Sequence, residues 1–172
     1  QSPRQKRILT WRKSKRSIEW LTYLIIDKII ARLPAKTPTN IIAICNVQLL
    51  GDYTLWMPYA KDCIEYWKGK GKPVALVCNA AWKTLAESDL SADMLIGVEP
   101  KKFIGSLRYR ISILRQLRSL GASFAINFCT PRDGIVSDAC MRGIAAPNTI
   151  GLAPTYVDRP KVDRNFSARI YS

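Results

Sequence analysis

The sequence predicts a layered α/β fold: a parallel sheet with helices on both faces, preceded by a basic amphipathic helix. Three observations predict it. Short apolar runs alternate with segments of helical periodicity from residue 41 to residue 152. The runs are nearly continuous in apolar character, as strands buried on both faces require. Ahead of the first run, residues 4–33 place apolar side chains at helical spacing among arginines and lysines. Strands separated by helices rather than by tight turns imply parallel pairing and two helical layers.

The elements follow in order. Residues 4–33 read as one long helix or two shorter ones, with Ile18, Leu21, Leu24 or Ile25, and Ile29 as the apolar stripe. Pro34 and Pro38 end it, and "PAKTPTN" at 34–40 reads as a linker. Ile41–Val47 is the first strand. Residues 53–68 form a helix stopped by "GKGKP" at 69–73, and Val74–Cys78 is the second strand. A short helix at 81–87 leads to a third strand, Met94–Val98. The segment 103–120 is a helix with Leu107, Ile111, Leu114 and Leu117 along one face and Gly121 as its stop. Ser123–Phe128 is the fourth strand. A helix near 134–145 and a short strand, Thr149–Leu152, complete the unit, leaving a polar tail at 153–172.

Length and composition bound the function. The 172 residues suffice for one domain with a core, and a hydrophobic fraction of 48% excludes a disordered chain. The 27 basic and 13 acidic residues give a net charge of +14. Residues 1–36 hold ten basic side chains against Glu19 and Asp27, a net +8. Such an excess calls for an anionic partner: nucleic acid, acidic lipid, or an anionic glycan or phosphate. The five cysteines form no CxxC and the chain has no histidine, so the pattern of a zinc site is missing. The cysteines read as buried, reduced thiols of a cytosolic protein. "WLTYLII" at 20–26 is cut by Asp27-Lys28, far short of the ~20 residues that span a bilayer. No small-residue cleavage site follows it, which argues against a signal peptide.

No GxGxxG follows the first strand, and "GKGKP" sits at a helix end, so neither a dinucleotide fingerprint nor a P-loop is supported. Gly51-Asp52 stands where the first strand gives way to a helix. In open parallel sheets ligands bind outside the carboxyl ends of the strands. Gly51 allows a tight turn and leaves room for a ligand. Asp52 has two compatible readings, a cap of the following helix and a general base that accepts a hydroxyl proton. Pro58 should kink that helix. In "CTPRDGIVSD" at 129–138, Arg132 is placed to grip an anionic group and Asp133 to cap the next helix. The N-terminal segment has three readings: a helix on an anionic membrane surface, to which Trp11, Trp20 and Tyr23 are suited; a nucleic-acid contact; or a helix whose stripe packs on the domain.

Together these features resemble the glycosyltransferase family 9 proteins, the heptosyltransferases of lipopolysaccharide synthesis. The resemblance rests on the apolar strand running into Gly51-Asp52 and "YTLWMP" with Pro58, on "SADMLIGVEP" at 91–100, on the Arg/Leu-rich helix 106–120 entering "GASFAINF", and on "PRDGIVSDACMRGIAAPNTIGL" at 131–152. It covers most of 41–152 and departs from the family's loop before Gly-Asp, which here reads Asn46, Gln48 and Leu49. It implies a GT-B fold, of which 41–152 is the N-terminal, Rossmann-like, acceptor-side domain. Residues 153–172 would then connect to a donor-binding domain absent from this chain, which alone should be inactive. It further implies Asp52 as the base, with Gly51, Arg132 and Asp133 at the substrate. The transfer would be inverting and metal-independent, from a nucleotide-sugar (ADP-heptose-like) to an anionic glycolipid of the lipopolysaccharide inner core. Its place would be the cytoplasm, and inner-membrane contact through 1–36 stays one of the three readings of that segment. The alternative is a non-catalytic basic α/β module that binds nucleic acid; the lack of an aromatic RRM platform or a helix-turn-helix pattern counts against it.

Overall fold

In the computed structural model, which describes residues 21–34, 39–130 and 134–152, the apolar runs form five strands. These are β1 (Ile42–Asn46), β2 (Val74–Asn79), β3 (Met94–Val98), β4 (Phe124–Asn127) and β5 (Asn148–Gly151). All pair in parallel in the order β3-β2-β1-β4-β5. The chain winds outward from β1 to β3, returns to the other side of β1, and winds outward again, so the direction reverses between β1 and β4. The helices are α1 (21–32), α2 (Leu50–Gly69), α3 (Lys83–Asp89, after a 3-10 turn at Ala80–Trp82), α4 (Pro100–Gly105), α5 (Leu107–Arg118) and α6 (Ser137–Ile144). This is the doubly wound, Rossmann-like α/β fold that the alternation predicts.

The pleat sorts each strand's side chains between two cores. Ile42, Ile44, Val74 and Leu76 face α2 and α3, where Tyr53, Trp56, Ala60 and Ile64 meet them. Ala43, Cys45, Ala75 and Ala125 face α5 and α6, where Leu114, Leu117, Met141 and Ile144 meet them. On β1 and β4 this second face carries small residues, and the helices supply the bulk there, while Val77, Ile96 and Val98 supply it on β2 and β3. Gly143 of α6 lets that helix lie close on α5: a Cβ there would come within 2.7 Å of Leu114 Cδ2.

"GKGKP" is a helix stop, as read. Gly71, at φ +69°, ends α2 in the left-handed conformation, with Gly71 N–H bonded to Lys68 O at 2.8 Å and Lys72 N–H to Trp67 O at 3.1 Å. Gly121, at φ +59°, ends α5. One long helix was expected over 103–120; the chain instead forms α4 and α5, separated at Ser106, whose backbone is extended and whose hydroxyl accepts from Tyr109 N–H at 3.4 Å. The Gly105-Ser106 pair is the sequence signal of that break. Leu107 is exposed, not buried, and the inward face of α5 carries Arg110 and Ile113 with Leu114 and Leu117.

The N-terminal helix also differs from its reading. Of the residues placed on its stripe, Leu21, Ile25 and Ile29 are exposed, and the buried face is Leu24, Asp27 and Ile30. Residues 1–20 and the tail 153–172 lie outside the described residues. The reason for the rotation is Asp27, whose carboxylate is wholly buried. Arg110 grips it through two bonds, Nε–Oδ1 at 2.8 Å and Nη2–Oδ2 at 2.7 Å, and Arg142 adds Nη2–Oδ2 at 2.9 Å. Arg110 is itself stacked between the rings of Tyr23 (4.7 Å) and Phe103 (4.4 Å). The guanidiniums also hold backbone: Arg110 donates to Ile135 O at 3.0 Å and Arg142 to Gly134 O at 2.8 Å.

Removing the carboxylate strands two buried cations. Asp27→Ala should therefore lower the unfolding free energy by about 3–5 kcal/mol, read by urea denaturation. Replacing Asp27, Arg110 and Arg142 together by Leu, Met and Leu should recover much of that loss, because the desolvation cost of all three charges disappears.

Candidate active site at the strand switch point

The three central strands end alike. Asn79 of β2, Asn46 of β1 and Asn127 of β4 are all buried. Each side-chain oxygen accepts the backbone N–H two residues on: Ala81 at 3.0 Å, Gln48 at 3.1 Å and Cys129 at 2.9 Å. These Asx turns replace the ladder bond that a strand loses where it ends, and they turn each loop over the sheet's carboxyl edge. The Nδ2 groups reach sideways, Asn79 to Val47 O at 3.4 Å and Asn127 to Asp138 Oδ1 at 3.5 Å. Asn46 Nδ2 is buried without a hydrogen-bond partner.

Gln48 joins the loops. Its side-chain amide donates to Thr130 O in the loop after β4, and its own carbonyl accepts from Trp82 Nε1 at 2.9 Å, after β2. Beneath lies an aromatic floor. Tyr53 stacks on Trp82 at 4.5 Å between centroids, and Trp56 lies 5.7 Å from Phe128. The Tyr53 hydroxyl donates to Asp89 Oδ2 at 2.8 Å; burial first, then that carboxylate, raise its pKa. On the opposite face of β1, Cys129 Sγ accepts Val47 N–H at 3.4 Å. The neighbouring thiols of Cys129 and Cys140, then burial, push the pKa of Cys45 well up. Burial pushes Cys78 up to about 12. All five cysteines are free thiols, and all but the half-buried Cys63 are buried.

Asp52 stands at this edge, in the first turn of α2, and is exposed. Its expected capping role is not what the structure shows. The helix starts at Leu50, and its N-cap is Leu49, without a side-chain cap bond. The carboxylate thus lies beside the positive end of α2 rather than folded back over it. Gly51 makes no tight turn either. It is helical, and a Cβ on it would meet nothing within 4 Å, so it keeps the surface beside Asp52 bare. Pro58 lies inside α2, which runs unbroken from Leu50 to Gly69, so the expected kink is not a break in the helix. Arg132 and Asp133 lie outside the described residues. The helix that follows, α6, begins at Ser137 with Val136 as its N-cap.

The structure adds residues that the sequence reading passed over. Asp138, in the first turn of α6, is wholly buried beside Asn127, and both engage neighbouring groups. The signal for the asparagines was present: "AICN", "LVCN" and "FAIN" each set Asn at the end of an apolar run. Among the described residues no group of three or more His, Cys, Asp or Glu could hold a metal ion. None of the described helices is long and apolar enough to cross a membrane.

An α/β domain with its loops stitched over the carboxyl edge, where the strand order reverses, belongs to the class that binds ligands in that crevice. No family profile matches the chain, and neither does any curated protein. Among solved structures, it is similar to the glycosyl transferase family 9 protein from Veillonella parvula DSM 2008, with a TM-score of 0.52 and 18% identity over 78% of this chain and 42% of that one. The likeness is one of fold, and the chain spans under half the length of that protein.

Two outcomes test this edge. Asn127→Ala leaves the buried Cys129 N–H without its acceptor and should cost about 1–3 kcal/mol in urea unfolding. The raised thiol and phenol pKa values mean that the native state holds protons that the unfolded chain releases. Stability should therefore be insensitive to these groups below pH 9.0 and fall as pH rises from there toward about 12, the window set by Cys78. Urea midpoints at pH 8 and pH 10.5 check the sign.

Proposed function

We propose that residues 41–152 form the acceptor-binding half of an inverting glycosyltransferase, with Asp52 as its general base. The observation that carries the reading is the position of Asp52: an exposed carboxylate beside a bare Gly51, at the mouth of β1, where the strand order reverses. The fold likeness to a glycosyl transferase family 9 protein and the ordered motifs that resemble that family support it.

In this mechanism an acceptor hydroxyl gives its proton to the Asp52 carboxylate as its oxygen attacks the anomeric carbon of a nucleotide-activated heptose. The carbon–oxygen bond to the diphosphate breaks on the opposite face, and the nucleotide leaves with the electron pair, so the configuration inverts. The donor is held by a second domain outside these residues, and no metal is required. The acceptor is the anionic glycolipid of the lipopolysaccharide inner core, gripped at its charged groups by Arg132, with Gly51 and Asp133 lining the approach. The net charge of +14 suits such a partner. The reaction belongs at the cytoplasmic face of the membrane.

In the full-length protein that carries this domain, Asp52→Asn should reduce heptose transfer to lipid A core acceptor by about 10²–10⁴-fold, measured by release of nucleotide diphosphate. Its unfolding free energy should fall by no more than about 1 kcal/mol, the contribution of a carboxylate at the positive end of α2, since Asp52 is exposed and makes no cap bond. Wild-type turnover by that variant would remove Asp52 from the role.

A further inference from the structure

We infer that α1 is a docking surface for an anionic lipid bilayer. The inference stands on the helix's own apolar row and charge, and only the orientation of α1 toward Asp52 rests on the site proposed above.

The inner face of α1 is committed: Leu24, Asp27 and Ile30 are buried, and Asp27 is clamped by Arg110 and Arg142. The helix is therefore fixed in rotation, and its outward face is fixed with it. That face carries Leu21, Ile25, Ile29 and Leu33, one turn apart, at 57%, 52%, 56% and 38% exposure. Four aliphatic side chains in line on a clamped helix are not a solvated surface. Lys28 and Arg32, seven residues after Leu21 and Ile25, lie exposed on the same side. Near the start of α1 the Tyr23 hydroxyl donates to Ile104 O, and Ile104, Leu107, Lys101 and Arg108 are also exposed.

Charge chooses the occupant. Residues 1–36 hold ten basic side chains and two acids, and one of those acids, Asp27, is sealed inside the domain, facing arginines that come from elsewhere in the chain. A second copy of the chain would bring the same positive charge against this one. A nucleic acid would satisfy the charge but leave the leucine and isoleucine side chains in water. An acidic bilayer satisfies both, taking the aliphatic row into the acyl boundary and the lysines and arginines among the headgroups. Orientation agrees. Tyr23 meets Ile104, Asp27 meets Arg110, and Leu33 O accepts from Arg118 Nε, so α1 runs alongside α5 in the same direction. It therefore starts at the sheet's carboxyl edge, the edge that carries Asp52.

The test is co-sedimentation of the whole chain with phosphatidylcholine vesicles, with and without 30% phosphatidylglycerol, at ~50 and ~500 mM NaCl, a range over which the Debye length shortens several-fold. The double variant Ile25→Ser/Ile29→Ser alters only exposed positions, and its urea midpoint should match wild type. Wild type should bind the anionic vesicles, bind them less in high salt, and bind neutral ones poorly; the variant should lose about tenfold or more in affinity, as an interfacial helix does when its apolar face is removed. Equal vesicle binding by the variant and wild type would overturn the inference. So would light scattering that shows a wild-type dimer split to monomers by the variant, which would make the row a self-association surface.

Discussion

Asp27, a carboxylate with no access to water, is shared between the guanidiniums of Arg110 and Arg142. Desolvating three charges is expensive, and it succeeds here because nearly every donor has a defined end point: the carboxylate, the carbonyls of Gly134 and Ile135, and the two rings that sandwich Arg110. The result fixes α1, α5 and α6 to one another and also fixes the chain immediately after residues 131–133. A hydrophobic contact of similar area would hold the helices together but would tolerate rotation. An ion triad with directional bonds does not, so α1 has one inward face and the segment entering α6 has one path.

The carboxyl edge of the sheet is organised on a different principle, by repetition. Three adjacent parallel strands meet the same problem, how to end a buried ladder without abandoning a backbone N–H, and each meets it with an asparagine whose amide oxygen substitutes for the missing strand. The turns are staggered by one residue per strand, Asn127 level with Cys45 and Asn46 level with Cys78, and one side chain, Gln48, spans from the β1 loop to the β4 loop. The family-like motif around Gly51-Asp52 thus sits on a base that differs from the family at Asn46 and Gln48. Those two residues are committed to holding the loops together.

The sheet was legible because a strand buried on both faces needs an unbroken apolar run, and every such run became a strand within two residues of its expected limits. Helix boundaries were less legible where a small polar residue decides them: Ser106 splits what periodicity reads as one helix, and α2 starts at Leu50 without any capping side chain to announce it. The orientation of α1 was misread for a physical reason. Periodicity assigns the apolar side inward, whereas here a charge lies inward because its partners are supplied from 83 and 115 residues away. No local pattern contains that information. At the site, Asp52 was legible from its place between strand and helix, but its freedom from capping was not. The asparagines were visible as letters, and only the turns they make at the ends of adjacent strands give them meaning.

The cysteines on the α5–α6 side of the sheet have a further consequence. Cys45, Cys129 and Cys140 lie buried directly behind the edge that carries the loops. An alkylating reagent reaches them only when that edge opens, so the chain carries its own clock for local breathing at the crevice. Only Cys63, which is partly exposed, would react without such opening.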